Sequence, residues 1–260
     1  MKFYSTKNTA AAVDFRTAVS QGLPPDNGLY FPEELPQLHP SFINDLPKIH
    51  LHEVAETVAW PFVKKNLSKS ELATIIERTL NFPIPLVQLH RQLHVLELFH
   101  GPTLAFKDVG ARFLAGCLQV FAQQNDEALT ILVATSGDTG SAVANAFLGL
   151  EGINVCVLYP SGKVSTLQEQ QMTTLGQNIT ALEVNGTFDD CQQLVKQAFL
   201  DEDLKRQKNL TSANSINIAR LLPQSFYYFH TFQQLDNWEE VSFSVPSGNL
   251  GNLCAGLFAR

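Results

Sequence analysis

A chain of 260 residues with 45% apolar content can bury a core in one large domain or two smaller ones, which excludes a disordered chain. Lysine and arginine total 18 against 25 aspartates and glutamates, a formal charge of −7 with no basic block, so no nucleic-acid or membrane partner is expected and a small-molecule partner is. The four cysteines, Cys117, Cys156, Cys191 and Cys254, lie scattered in apolar runs with no C-x-x-C pair; they read as buried thiols in a reducing compartment, not as disulfides or metal ligands. The opening MKFYSTKNTA has neither an apolar signal core nor an Arg-rich pattern, and no run of ~18 apolar residues occurs, so a cytoplasmic location is expected.

Up to residue 92, Pro24, Pro25, Pro32, Pro36, Pro40, Pro47, Pro61, Pro83 and Pro85 break the chain into short pieces. AAVDFRTAVSQGL still predicts a helix ended by Gly22, and SKSELATIIERTLNF a second one capped by Ser68 or Ser70. From Leu93 the pattern becomes strand, loop, helix, repeated. LHVLELF precedes a helix over 108–121, LTILVAT one over 140–150, INVCVLY one over 165–175 and NITALEV one over 188–200. An irregular stretch follows, then EVSFSV as a strand and a last helix from Leu250. This alternation predicts an α/β fold with open, mostly parallel sheets, and the nearly continuous apolar strands imply helices on both faces. Thr187 with Asp190, and Ser165 with Gln168, have the spacing of capping boxes.

Three strand ends carry residues suited to chemistry. In VATSGDTGSAVA, the segment Thr135 to Gly140 leads from a strand into a helix, where free N–H groups, the helix dipole and hydroxyls favour a carboxylate or phosphate. In VPSGNLGNLCAG, two Gly-Asn pairs around Leu250 suggest a nest of N–H groups for a phosphate dianion; the loop is neither a Walker loop nor G-x-G-x-x-G. In HGPTLAFKDVGARFL, Lys107 stands between Phe106 and Asp108 at a helix N-terminus, where the dipole repels it; partial burial there lowers an ammonium pKa and leaves an amine able to attack a carbonyl. Each loop taken singly also reads as an ordinary turn, and Lys107 as a surface lysine over Phe106. Together they suit a cofactor with an aldehyde and a phosphate, plus an amino-acid carboxylate. Pyridoxal phosphate fits that description.

These segments, with GLYFPEELP, YPSGKVSTLQEQQM and NSINIAR, resemble in order and along the whole chain the tryptophan-synthase-like (fold type II) pyridoxal-phosphate enzymes, and among them the threonine synthase family. The resemblance implies that Lys107 holds the cofactor covalently and acts in catalysis. It implies a cofactor site of Phe106, Asp138, Gly248, Asn249, Leu250, Gly251 and Asn252, with Asp138 near the 3′-oxygen. Ser136, Gly137 and Thr139 would take the substrate carboxylate, and Lys163, Asn214, Ser215, Asn217 and Arg220 a substrate phosphate. The implied substrate is O-phospho-L-homoserine, converted with water to L-threonine and phosphate; monomer and homodimer both stay open. A dehydratase or sulfhydrylase of the same fold, or a cofactor-free binding module, are the alternatives. The implied organisation is an N-terminal accessory region over 1–92, the start of the cofactor-binding core over 93–128, a small α/β domain over 129–236 and the beginning of the large domain over 237–260. Members of the family are considerably longer, which implies that a further portion completes the large domain and faces the pyridine nitrogen with a hydroxyl.

Overall fold

A computed structural model describes residues 1–125 and 128–260. At the N-terminus β1 (Phe3–Ser5) pairs antiparallel with β2 (Tyr30–Pro32), a small sheet not expected from the helical reading of this region. Between them lies α1 (Phe15–Gln21), capped by Asp14, whose carboxylate accepts from the Thr17 N–H at 2.9 Å, and ended before Gly22 as expected. After α2 (Pro40–Asp45) come α3 (Leu51–Val63) and α4 (Lys69–Thr79). Pro61 does not break α3 but sits inside it, near its end, where a missing N–H costs little of the ladder. Ser68 and Glu71 close α4 with a full capping box.

The segment LHVLELF departs from expectation: only β4 (Leu93–Leu96) is a strand, and it pairs antiparallel with β3 (Leu86–His90) rather than joining a parallel sheet. The chain then enters α5 (Lys107–Asn125). Next come β5 (Leu129–Ala134), α6 (Asp138–Phe147), β6 (Ile153–Pro160), α7 (Thr166–Thr173), β7 (Ile179–Val184) and α8 (Phe188–Leu200), all close to the predicted elements. Both predicted capping boxes form, at Ser165 with Gln168 and at Thr187 with Asp190.

The stretch read as irregular contains α9 (Glu202–Gln207), β8 (Asn209–Ser212), α10 (Ile218–Leu221) and α11 (Phe226–Gln234). The strand expected at EVSFSV is absent. No neighbouring strand pairs with this segment among the described residues, and Phe243 instead lays its ring against Tyr228 and Phe232, at 4.9 and 5.9 Å between centroids. The last helix, α12 (Gly251–Ala259), begins where predicted.

The main sheet is fully parallel, in the order β7-β6-β5-β8. Alternate residues divide its faces as the pleat requires. Ile131, Val133, Val155 and Val157 join the large core with α5 and α6, while Leu132 and Leu158 pack with Cys191 and Val195 of α8 on the other side. From β5 the chain moves outward through β6 to β7, then returns to place β8 on the opposite flank of β5. The crevice between the carboxyl ends of β5 and β8 is therefore a topological switch point, where open α/β sheets take ligands. All four cysteines are free thiols, and no helix among the described residues is long and apolar enough to cross a membrane.

Candidate functional site

Lys107 is the first residue of α5, and its side chain keeps only 26% of its exposure. Burial lowers its pKa from the ordinary lysine value; the carboxylate of Asp138, 3.8 Å from Nζ, works against that shift, and Arg220 adds to it. The ring of Phe106 lies 5.9 Å from Nζ. The loop that delivers the lysine is held from within. Asp108, itself buried, accepts from the Thr103 N–H at 3.0 Å and from its hydroxyl at 2.6 Å, so the turn after Gly101 is stapled to the start of α5.

Across from the lysine, the loop after β5 is built around Thr135. Its hydroxyl accepts from the N–H groups of Gly137 and Gly140, at 3.0 and 2.8 Å, and donates to the Gly137 carbonyl. Gly137 stands at φ 151°, a backbone conformation that demands glycine, and a Cβ there would also push aside the terminal amide of Gln168, 2.7 Å away. The loop presents Ser136 and Asp138 exposed and Thr139 half-buried, with the first turn of α6 behind them. Asp138 faces two ways: Oδ2 to Lys107, and Oδ1 accepting from Gln168 Nε2 at 2.5 Å.

Lys163, exposed, follows β6, and Asn214 and Ser215, half-buried, follow β8, so these residues share the carboxyl edge of the sheet with Ser136–Thr139. Arg220 is 2% exposed and has no acidic partner among the described residues: Nη1 donates to the Ala213 carbonyl at 2.8 Å and Nε is unpaired there. Burial lowers its pKa to about 10. Asn217 is committed to the scaffold, its oxygen capping α10 at the Ala219 N–H and its amide donating to the Val19 carbonyl at 2.8 Å. Gly248, Asn249 and Leu250 are exposed ahead of α12, and Leu250 takes a left-handed conformation at φ 56°, ψ 8°. A left-handed residue before a right-handed helix turns successive N–H groups to one side, the geometry of an anion nest.

Two family models cover the chain: "Threonine synthase N terminus" over residues 2–80 and "Pyridoxal-phosphate dependent enzyme" over residues 78–259. The chain belongs to the pyridoxal-phosphate dependent enzymes. It is 49% identical over its whole length to a threonine synthase of Haemophilus influenzae, of which it covers 61%. A solved PLP-bound threonine synthase from Brucella melitensis superposes with a TM-score of 0.94 at 41% identity, covering all of this chain and 57% of that one. The corresponding values for a threonine synthase from yeast are 0.91 and 38%, over 99% of this chain and 55% of the other. The chain thus spans 55–61% of the length of the curated relatives it matches.

As in a pyridoxal-phosphate dependent enzyme, the residues present suit the cofactor. A half-buried amine with a depressed pKa is available to a carbonyl, and the nest ahead of α12 is open, with nothing within 4 Å of where a Cβ on Gly248 would stand. Several supporting residues were not singled out in the sequence. Tyr227 donates to the Phe106 carbonyl, Tyr228 to Asn252, and Gln168 to Asp138. Only Gln168 left a local trace, as the last member of a capping box.

Proposed function

We propose that the protein at its full natural length converts O-phospho-L-homoserine and water to L-threonine and inorganic phosphate with pyridoxal phosphate. The observation that carries this reading is the likeness of the whole chain, without a gap in coverage, to proteins named threonine synthase. Bound through Lys107, the cofactor would supply a sink for negative charge developed at the substrate α-carbon.

Lys107 would take protons from Cα and Cβ and deliver them to Cγ, which becomes the methyl group, and back to Cα; burial lowers its pKa and so raises its share of neutral amine. The hydroxyls of Ser136 and Thr139 and the start of α6, at Gly137, hold the α-carboxylate. Gly248 to Asn252 hold the cofactor phosphate, with Phe106 and Asp138 beside the lysine. The substrate phosphate, which leaves from Cγ before water adds at Cβ, falls to Asn214, Ser215, Lys163 and Arg220. Arg220 supports a phosphorylated substrate because a buried guanidinium with no carboxylate beside it among the described residues calls for an anion. Asn217 contributes through the loop it braces.

The test is Lys107→Ala in the full-length protein. The variant keeps its circular dichroism but loses the borohydride-reducible cofactor and both products, phosphate and threonine. Wild-type protein that binds the cofactor yet releases no phosphate from O-phosphohomoserine would overturn the substrate assignment.

A further inference from the structure

We propose that the adjacent tyrosines Tyr227 and Tyr228 of α11 are positioning residues, a two-point clamp that sets Lys107 and the nest ahead of α12 in one frame. The inference rests on the pyridoxal-phosphate reading above. Neighbouring residues of a helix point about 100° apart, so one short element can reach two walls of a site. Tyr227 reaches α5. Its hydroxyl donates at 2.6 Å to the carbonyl of Phe106, the carbonyl of the peptide whose nitrogen belongs to Lys107. Because that peptide is planar, holding its oxygen holds the direction in which the lysine leaves the backbone.

Tyr228 reaches α12. Its hydroxyl lies 2.8 Å from the Asn252 carbonyl and 2.9 Å from the Asn252 side-chain oxygen, so one proton is shared between two acceptors on the second residue of the helix. Its ring is also the floor on which α12 rests: a Cβ on Gly256 would come within 2.6 Å of the phenol carbon. Leu250, the left-handed residue that shapes the nest, is two residues before Asn252.

Both phenols suit a permanent donor role. Tyr227 and Tyr228 are 3% and 8% exposed, and burial raises both pKa values, with Asp108 pushing Tyr227 further up and Arg220 opposing. The hydroxyl protons therefore stay in place over the whole working pH range. The site's two anchors come from chain segments about 145 residues apart, and one turn of α11 bonds to both.

The experiment compares pyridoxal phosphate with pyridoxal, which lacks the phosphate, as ligands of full-length wild type, Tyr227→Phe and Tyr228→Phe. Each variant keeps the ring and loses only the hydroxyl. Binding is followed by the visible absorption of the lysine-linked aldehyde, and folding by thermal melts. Losing one hydrogen bond corresponds to roughly fivefold to tenfold in affinity. Tyr228→Phe should weaken pyridoxal phosphate by about that factor and leave pyridoxal unchanged, lowering the preference between them. Tyr227→Phe should slow covalent capture of both aldehydes alike and leave the preference intact. In Tyr228→Phe, parallel losses for both ligands or a lowered melting temperature with wild-type preference, and in Tyr227→Phe a wild-type capture rate, would overturn the clamp. Failure of wild type to bind pyridoxal phosphate would overturn the cofactor reading on which it rests.

Discussion

Replacing Asp138 by asparagine should lower the pKa of Lys107, and the structure sets the scale. The carboxylate stands 3.8 Å from Nζ and is the one influence on Lys107 that favours the ammonium, while burial and Arg220 favour the neutral amine. At that distance two unit charges interact by about 4 kcal/mol at an effective dielectric constant of 20 and about 1 kcal/mol in bulk water. Since 49% of the Asp138 side chain is exposed, the lower figure applies. Asparagine keeps an oxygen for Gln168 Nε2 and loses only the charge. The sign follows: without the carboxylate the ammonium gives up its proton at lower pH, and below the midpoint the neutral fraction rises by about fivefold. The assay is the rate at which cofactor-free protein captures pyridoxal, trapped with borohydride, as a function of pH. A midpoint that stays fixed or moves upward in Asp138→Asn would refute the electrostatic coupling.

Gly110→Ala should destabilise the protein by about 1–3 kcal/mol, because its Cβ would lie 2.9 Å from the Arg220 carbonyl oxygen, a backbone atom that moves only if α5 and α10 separate; a lower urea midpoint at unchanged slope is the expected result. Gly251→Ala meets only Gln224 Nε2, at 3.8 Å, so its melting temperature should match wild type while pyridoxal phosphate titrates more weakly, the methyl group standing where the phosphate approaches. Asp14→Ala removes the cap of α1 and the acceptor of Asn66 Nδ2 at 2.7 Å, at a cost of about 1–2 kcal/mol near neutral pH. Burial raises the Asp14 pKa, but its bonds from Thr17 and Asn66 outweigh burial and leave it below the usual aspartate value; its stabilisation is therefore present above about pH 4 and lost as pH falls through the native pKa. Chemical denaturation of wild type and variant should converge in acid.

What the sequence determined by itself is what depends on a few consecutive residues. The capping boxes at Ser68, Ser165 and Thr187 are closed within four residues, so their helices were legible, as were the apolar runs of β5, β6 and β7 that any two-faced sheet requires. Lys107 stood out for a local reason as well, a cation at the positive end of a helix. The tertiary structure decided whatever depends on a partner distant in the chain. NLTS is a strand because β5 offers it a ladder, and EVSFSV is not because no strand lies beside it among the described residues. That Asn217 braces the loop was not legible, since it depends on Val19 of α1 coming to meet it. Tyr227 and Tyr228 carry no local mark of their role; the two phenols become a clamp only when packing brings a carbonyl within 3 Å of each and excludes water, and that proximity is a property of the assembled core rather than of any segment.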